Sequence, residues 1–185
     1  MNSQDRDNEA MTIRTAKTAP LTLACTCLAV FLPAASQALP EDAGQPILGT
    51  YDNSLLLLDE GKQVFYGAAG TPAEITQGTL KISGQEIVIE RIDGEVKKVS
   101  VTGSPALYQQ QPAIDQALVT AEGQTIILDY DTQHMSAVGN VRFIQGNDQW
   151  TGCQIDYYLE SRQLSTPRCA DGSQARAILS PRNTQ

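Results

Sequence analysis

One histidine, a pair of nearby aspartates, a dilysine and four cysteines are the residues of this chain best suited to catalysis or metal binding. A nucleophilic site needs a base held beside a serine or cysteine. His134 follows the turn-like run Asp131-Thr132-Gln133, where a solvent-facing ring on a loop is expected, and the cysteines have a more ordinary use given below. Asp129 and Asp131 resemble a glycosidase dyad only in being close. Strand alternation would put both on one exposed face, with no apolar setting to raise a carboxyl pKa. Lys97-Lys98 reads as a solvated hairpin face, and no glycine-rich run is built to cradle phosphate. Two cysteines and one histidine without ligand spacing make no zinc site. The sequence therefore predicts no catalytic residue, no metal and no cofactor.

The chain has 185 residues with 13 Lys+Arg against 21 Asp+Glu, a formal charge of -8 and a pI near 4.5. Such a balance lacks the cationic surface that supplies most non-specific affinity for nucleic acid, so no nucleic-acid partner is expected. At 41% hydrophobic and 18% charged, with 14 Gly and 9 Pro, the composition is that of one folded domain.

Arg14 and Lys17 precede an apolar stretch from Leu21 to Leu32, followed by Pro33 and the small residues Ala34-Ala35-Ser36-Gln37-Ala38. That is the build of a secretory signal peptide over 1–38, cleaved after Ala38. Its apolar core falls well below the roughly 20 residues a membrane-crossing helix needs. The alternative is an uncleaved inner-membrane anchor. A lipoprotein signal would need leucine three places before the modified cysteine, where Cys25 has Thr22 and Cys27 has Ala24. Asp5, Asp7 and Glu9 ill suit a signal's start, which makes Met11 a candidate first residue. Cys153 and Cys169 remain, and in an oxidising compartment they read first as a disulfide, with two buried thiols as the alternative. A hairpin centred on Ser161 would set them opposite one another. A loop of that size contributes roughly 3 kcal/mol in the chain-entropy account.

The elements are short and alternate. Leu80 and Ile82; Ile87 and Ile89; Val99 and Val101; Ile126, Leu128 and Tyr130; Val141 and Phe143; Ile155, Tyr157 and Leu159 all show the period of half-buried strands. Breakers separate these runs at Gly84, Gly94, Gly103, Pro105, Gly123, Gly139 and Gly146, among others, as an antiparallel all-β protein requires. Over Pro112 to Thr120 the spacing of Ile114, Ala117, Leu118 and Ala121 is instead helical. A weak repeat aligns the second strands of four proposed hairpins, anchored at Val64, Val99, Met135 and Leu164. Their turns are Glu60-Gly61-Lys62, Asp93-Gly94, Asp131-Thr132-Gln133 and Glu160-Ser161-Arg162. Stacked, such units bury one continuous apolar seam and leave an unpaired strand edge at each end. The branched-aliphatic interior could be a filled core or could enclose an acyl chain, which is bound by apolar area with few polar anchors.

The run Gln77-Gly78-Thr79-Leu80-Lys81-Ile82, continuing through Gly84, Ile87, Val88, Ile89 and Arg91, resembles the OstA family of periplasmic lipopolysaccharide-transport proteins. Gln45-Pro46-Ile47, Gly103-Ser104-Pro105-Ala106 and Gly139-Asn140-Val141 extend the likeness from about Gln45 to Pro181. The resemblance implies a twisted antiparallel β-jellyroll of stacked V-shaped layers over 39–181, open at both ends, with 182–185 as a flexible tail. It also implies a periplasmic carrier whose apolar interior shields lipid A acyl chains. Its partners would be jellyroll domains of the inner-membrane and outer-membrane transport complexes, with head-to-tail addition of its own copies in a bridge.

Carried over by resemblance, Leu128 and Tyr130 fall at lipid-facing positions, Tyr108 or its neighbour Leu107 at another, and Ile47 on the first strand. Alternation independently groups Ile126 with Leu128 and Tyr130, and Ile87 with Ile89. The run Ala68 to Glu74 is longer and more broken than the family's strand, so a bulge or loop is expected there and the N-terminal layer is in question. For Pro112 to Thr120 the resemblance implies strand, and we follow it over the helical spacing. Two other readings stay open: a membrane-anchored jellyroll partner of the same pathway, and a periplasmic scaffold that binds only protein.

Overall fold

The computed structural model describes Asp42 and residues 44–181; the leader and the 182–185 tail lie outside the described residues. The strands are β1 (Leu48–Thr50), β2 (Asn53–Leu57), β3 (Lys62–Tyr66), β4 (Ala73–Gln77), β5 (Leu80–Gly84) and β6 (Glu86–Ile92). They continue with β7 (Glu95–Gln110), β8 (Val119–Asp129), β9 (His134–Gln145), β10 (Asp148–Tyr158), β11 (Gln163–Ser165) and β12 (Arg176–Ile178). Every pairing is antiparallel.

Strands β7 to β10 are long and each passes through a bend, so one hydrogen-bonded sheet becomes two leaves. In the first leaf the order is β2-β3-β6-β7-β8-β9-β10-β11, using Lys98–Thr102, Thr125–Asp129, His134–Val138 and Gln154–Tyr158 of the long strands. In the second it is β1-β4-β5-β7-β8-β9-β10-β12, using Ala106–Gln110, Val119–Glu122, Val141–Gln145 and Asp148–Gly152. The ladder shifts register between Thr102 and Ala106, between Glu122 and Thr125, and between Gly152 and Gln154. The fold of the sheet is measurable. Phe143 and Tyr157 belong to the same β9–β10 ladder and would stand roughly 23 Å apart along a straight strand, yet their rings meet at 5.1 Å.

A glycine marks the bend in each long strand: Gly103, Gly123, Gly139 and Gly152. The expectation that Gly103, Gly123 and Gly139 separate strands is thus corrected, because each bends a continuous strand. Gly139 adopts φ 84°, which an L side chain resists, and Asn140 beside it adopts φ 48°. The N-terminal layer, in question from the sequence, forms, with the expected break confined to the stretch before β4. Ala68 and Thr71 close a tight turn, after which β4 pairs with β5.

The four proposed hairpins are all present and stack along the free margin of the first leaf. Before the returning strand each turn has a left-handed residue: Gly61 (φ 62°), Gly94 (φ 84°), Gln133 (φ 51°) and Arg162 (φ 54°). At Gly61 a Cβ would also fall against the Arg91 carbonyl oxygen. Gly70, at φ 81°, has nothing within 4 Å of that position. Gly61→Ala is therefore expected to cost about 2–3 kcal/mol and Gly70→Ala about 1 kcal/mol. Urea titration of both variants checks this, and equal costs would contradict the close approach at Gly61.

Between β7 and β8, residues 111–118 form neither the strand followed above nor the helix their spacing suggests. Ile114 is 74% exposed and Leu118 47% exposed, so the apolar face that would have stabilised a helix has no surface to pack on. The loop is held instead by Gln111, whose Nε2 donates to the carbonyls of Ile114 and Gln116. His134 is also corrected. It opens β9, half-buried, stacked on Tyr158 at 4.7 Å and 3.3 Å from Asp156.

Candidate functional site

Alternation turns one side chain in two toward the space between the leaves, and antiparallel register aligns these across strands. In the first leaf the row Phe65, Ile87, Val101, Ile126, Ala137, Ile155 runs unbroken from β3 to β10. A parallel row, Ile89, Val99, Leu128, Met135, Tyr157, Leu164, lies nearer the free margin. In the second leaf Ile75, Ile82, Tyr108, Ala121, Phe143 and Trp150 form the facing row. These residues make up one apolar cluster, extending along the stack of strands.

At the margin of the V lies a cavity of about 330 Å³ between the tips of the two leaves. The first leaf and its hairpin turns contribute Leu128, Tyr130 and Leu159 together with the polar Asp129, Gln133 and His134; the second contributes Leu80, Tyr108, Gln77 and Gln110. Of the candidate residues, Tyr108, Leu128 and Tyr130 therefore meet at one place. Ile87, Ile89 and Ile126 are buried in the cluster and do not line the cavity. Leu107 lies on the opposite face of β7 from Tyr108, half-buried, and Ile47 precedes β1 at 50% exposure. Leu80 and Leu159 were visible as alternating apolar residues. The contribution of Gln77, Gln110 and Asp42 was not, because it depends on how the leaves close.

The polar groups at the margin bind the fold together. Asp42 accepts from the Thr79 amide at 3.0 Å and from the Thr79 hydroxyl. Thr79 Oγ1 in turn accepts from the Gln111 amide at 3.3 Å, so the chain before β1, the β4–β5 turn and the 111–118 loop share one network. Tyr108 donates to Gln110 Oε1 at 2.6 Å. Burial pushes its phenol far above the ordinary value, so it stays protonated. Outside, Lys97 reaches Asp131 of the neighbouring hairpin at 2.9 Å and Glu95 of its own strand at 3.2 Å, and these hydrogen bonds raise its pKa. The Thr132 amide lowers that of Asp129, the opposite of what a protonated glycosidase acid requires. Cys153 and Cys169 form a disulfide with Cα atoms 5.7 Å apart. Among the described residues no group of three or more His, Cys, Asp or Glu could hold a metal.

A two-leaved jellyroll with exposed strand edges, an apolar seam along its stack and a cavity at its open margin defines a structural class, the OstA-like jellyrolls. Within it, the profile described as LptA/(LptD N-terminal domain) LPS transport protein matches residues 70–163. The lipopolysaccharide export system protein LptH of Pseudomonas aeruginosa is 31% identical over 146 residues, 78% of this chain and 79% of that protein. The crystal structure of LptH, described as the LptA-homologous periplasmic component of the conserved lipopolysaccharide transport device of P. aeruginosa, superposes with a TM-score of 0.67. There the identity is 26%, covering 77% of this chain and all of that one. The chain belongs to the LptA/LptD N-terminal domain family.

Proposed function

We propose that this protein is a periplasmic lipopolysaccharide-transport component that shields lipid A acyl chains between its two leaves and passes them along its length. The observation that carries the reading is the pair of apolar rows crossing consecutive strands of the first leaf, opposed by the row of the second and opening on the marginal cavity. A chain-like apolar ligand needs area more than specific polar anchors, at about 25 cal/mol per Å² buried. Tyr108, Leu128 and Tyr130 would meet the chains at the mouth, while Ile87, Ile89 and Ile126 form the floor. Neither cleavage chemistry nor a cofactor is part of this role. Its relative LptH is described as periplasmic, which suits a leader over 1–38 removed near Ala38 and a mature domain from Leu39.

The two ends suit edge-to-edge addition. At the first end, Leu48 on β1 and Leu55 and Leu56 on β2 are exposed, with Ile47 beside them; at the other, Ile178 on β12 and Leu179 are exposed. Unpaired strand edges of this kind accept another strand, and pairing unlike ends builds an open row. Such a row would join jellyroll domains of the inner-membrane and outer-membrane complexes, with copies of this chain between them.

Site-specific photo-crosslinking to lipopolysaccharide tests the carrier role, with the probe at Leu128, at Tyr130 and at Ile127 on the opposite face of β8. Strong labelling at Leu128 and Tyr130, at least tenfold above Ile127, is expected. Equal or absent labelling in a folded protein would remove the carrier reading and favour a protein-binding scaffold.

A further inference from the structure

Beside the marginal cavity is a smaller one, of about 70 Å³, under the 111–118 loop. It is lined by Tyr157, Gln116 and Arg162, and it shares Tyr108, Gln110 and Leu159 with the larger space. Tyr157 is 2% exposed, and neither its hydroxyl nor Gln116 Oε1 has a hydrogen-bond partner among the described residues, although both atoms are buried. Buried polar atoms nearly always find a partner, since leaving one unpaired costs about 1–3 kcal/mol. These two converge on one pocket from different elements, β10 and the loop above it. Burial also holds the Tyr157 phenol above its ordinary pKa, so it keeps the proton it would donate.

The chemistry of the pair selects its occupant. Gln116 Oε1 only accepts, while the Tyr157 hydroxyl donates and accepts. A neutral group that both donates and accepts satisfies both. We propose that this pocket is a subsite for a hydroxyl group carried on a bound acyl chain near its polar end, read by Tyr157 and Gln116, with Arg162 at the rim meeting the anionic part beyond. The subsite rests on the carrier reading above and specifies which part of the lipid is recognised. Since the space would hold about two waters, solvent alone is the competing occupant.

The test uses the mature full-length chain and displacement of a fluorescent fatty acid by tetradecanoic acid or 3-hydroxytetradecanoic acid. In the wild type the hydroxy acid should bind at least as tightly as the plain acid. Tyr157→Phe and Gln116→Leu should each weaken the hydroxy acid relative to the plain acid by about 5–10-fold, because a hydroxyl placed in the apolar groove then goes unpaired. The ratio of the two affinities is the readout, and far-UV circular dichroism matching the wild type shows that the variants fold. A ratio unchanged by both substitutions would overturn the subsite and leave the pocket to water. Failure of both acids to displace the probe from wild type would instead overturn the carrier reading, and the subsite with it.

Discussion

Phe143→Ala should remove about 3–5 kcal/mol of folding stability, the cost typical of truncating a fully buried phenylalanine. The side chain is 0% exposed and is placed by β9 in the inward row of the second leaf, paired across the ladder with Ala121 and Trp150. Its ring meets Trp150 edge-on at 5.8 Å and Tyr157 at 5.1 Å. The second contact matters more, because Tyr157 lies on the other leaf. Phe143 therefore fastens the two leaves where the V is filled, and alanine would leave both facing a void. Against a total of roughly 5–15 kcal/mol, the loss would bring a protein of ordinary stability close to unfolding at 37 °C. Urea titration followed by far-UV circular dichroism measures it. Trp150, the single tryptophan, supplies a second probe at the site itself. A loss below about 1 kcal/mol would mean that this part of the interior closes up freely, as a loosely packed channel would and a jigsaw core would not.

How much of this was legible in the sequence depends on whether a signal was local. Ile87 with Ile89, Val99 with Val101 and Ile126 with Leu128 alternate because each strand is buried on one side, and the structure places all six inside. Asp93-Gly94 marks its hairpin because only such residues accept two successive left-handed conformations, seen at φ 52° and 84°. Glycine is ambiguous in another way. It breaks a pattern equally whether a strand ends, as at Gly94, or turns a corner and continues, as at Gly139, and no neighbouring residue tells the two apart. The 111–118 loop misled in both directions: Ile114, Ala117 and Leu118 have helical spacing, but spacing stabilises a helix only when a surface is there to cover it. Resemblance left Leu107 and Tyr108 as alternatives, and the register of β7 against β8 puts Tyr108 inward. The convergence of Tyr157 with Gln116 and Arg162 was least visible, since it depends on how a bend at Gly152 and a loop from β7 bring distant segments together.

Replacing both bridged cysteines, as Cys153→Ala with Cys169→Ala, should lower stability by about 3 kcal/mol, and reducing the wild type should have the same effect. The bridge closes a loop with a sequence separation of 16 that contains the end of β10, its turn and β11. In the chain-entropy account that closure restricts the unfolded ensemble, so the loss should appear as a shift of the whole unfolding transition. A local effect is also present but smaller. Strand β12 pairs through only Arg176, Ala177 and Ile178, and is fixed beyond them by Ser180, whose amide donates to Asp148 at 2.8 Å. With the bridge, the unpaired connection to β12 spans 170–175; without it, the connection spans 166–175. Loop-closure entropy makes that difference only about 0.5 kcal/mol. Urea midpoints with and without reductant, measured on the wild type and the double variant, separate the contributions. The variant should match reduced wild type and ignore reductant, while hydrogen exchange at β12 should quicken by only two- to threefold beyond the global change. Equal midpoints for oxidised and reduced wild type would show that the bridge does not restrict the unfolded chain. Exchange confined to β12 would instead make it a fastening for the C-terminal strand edge.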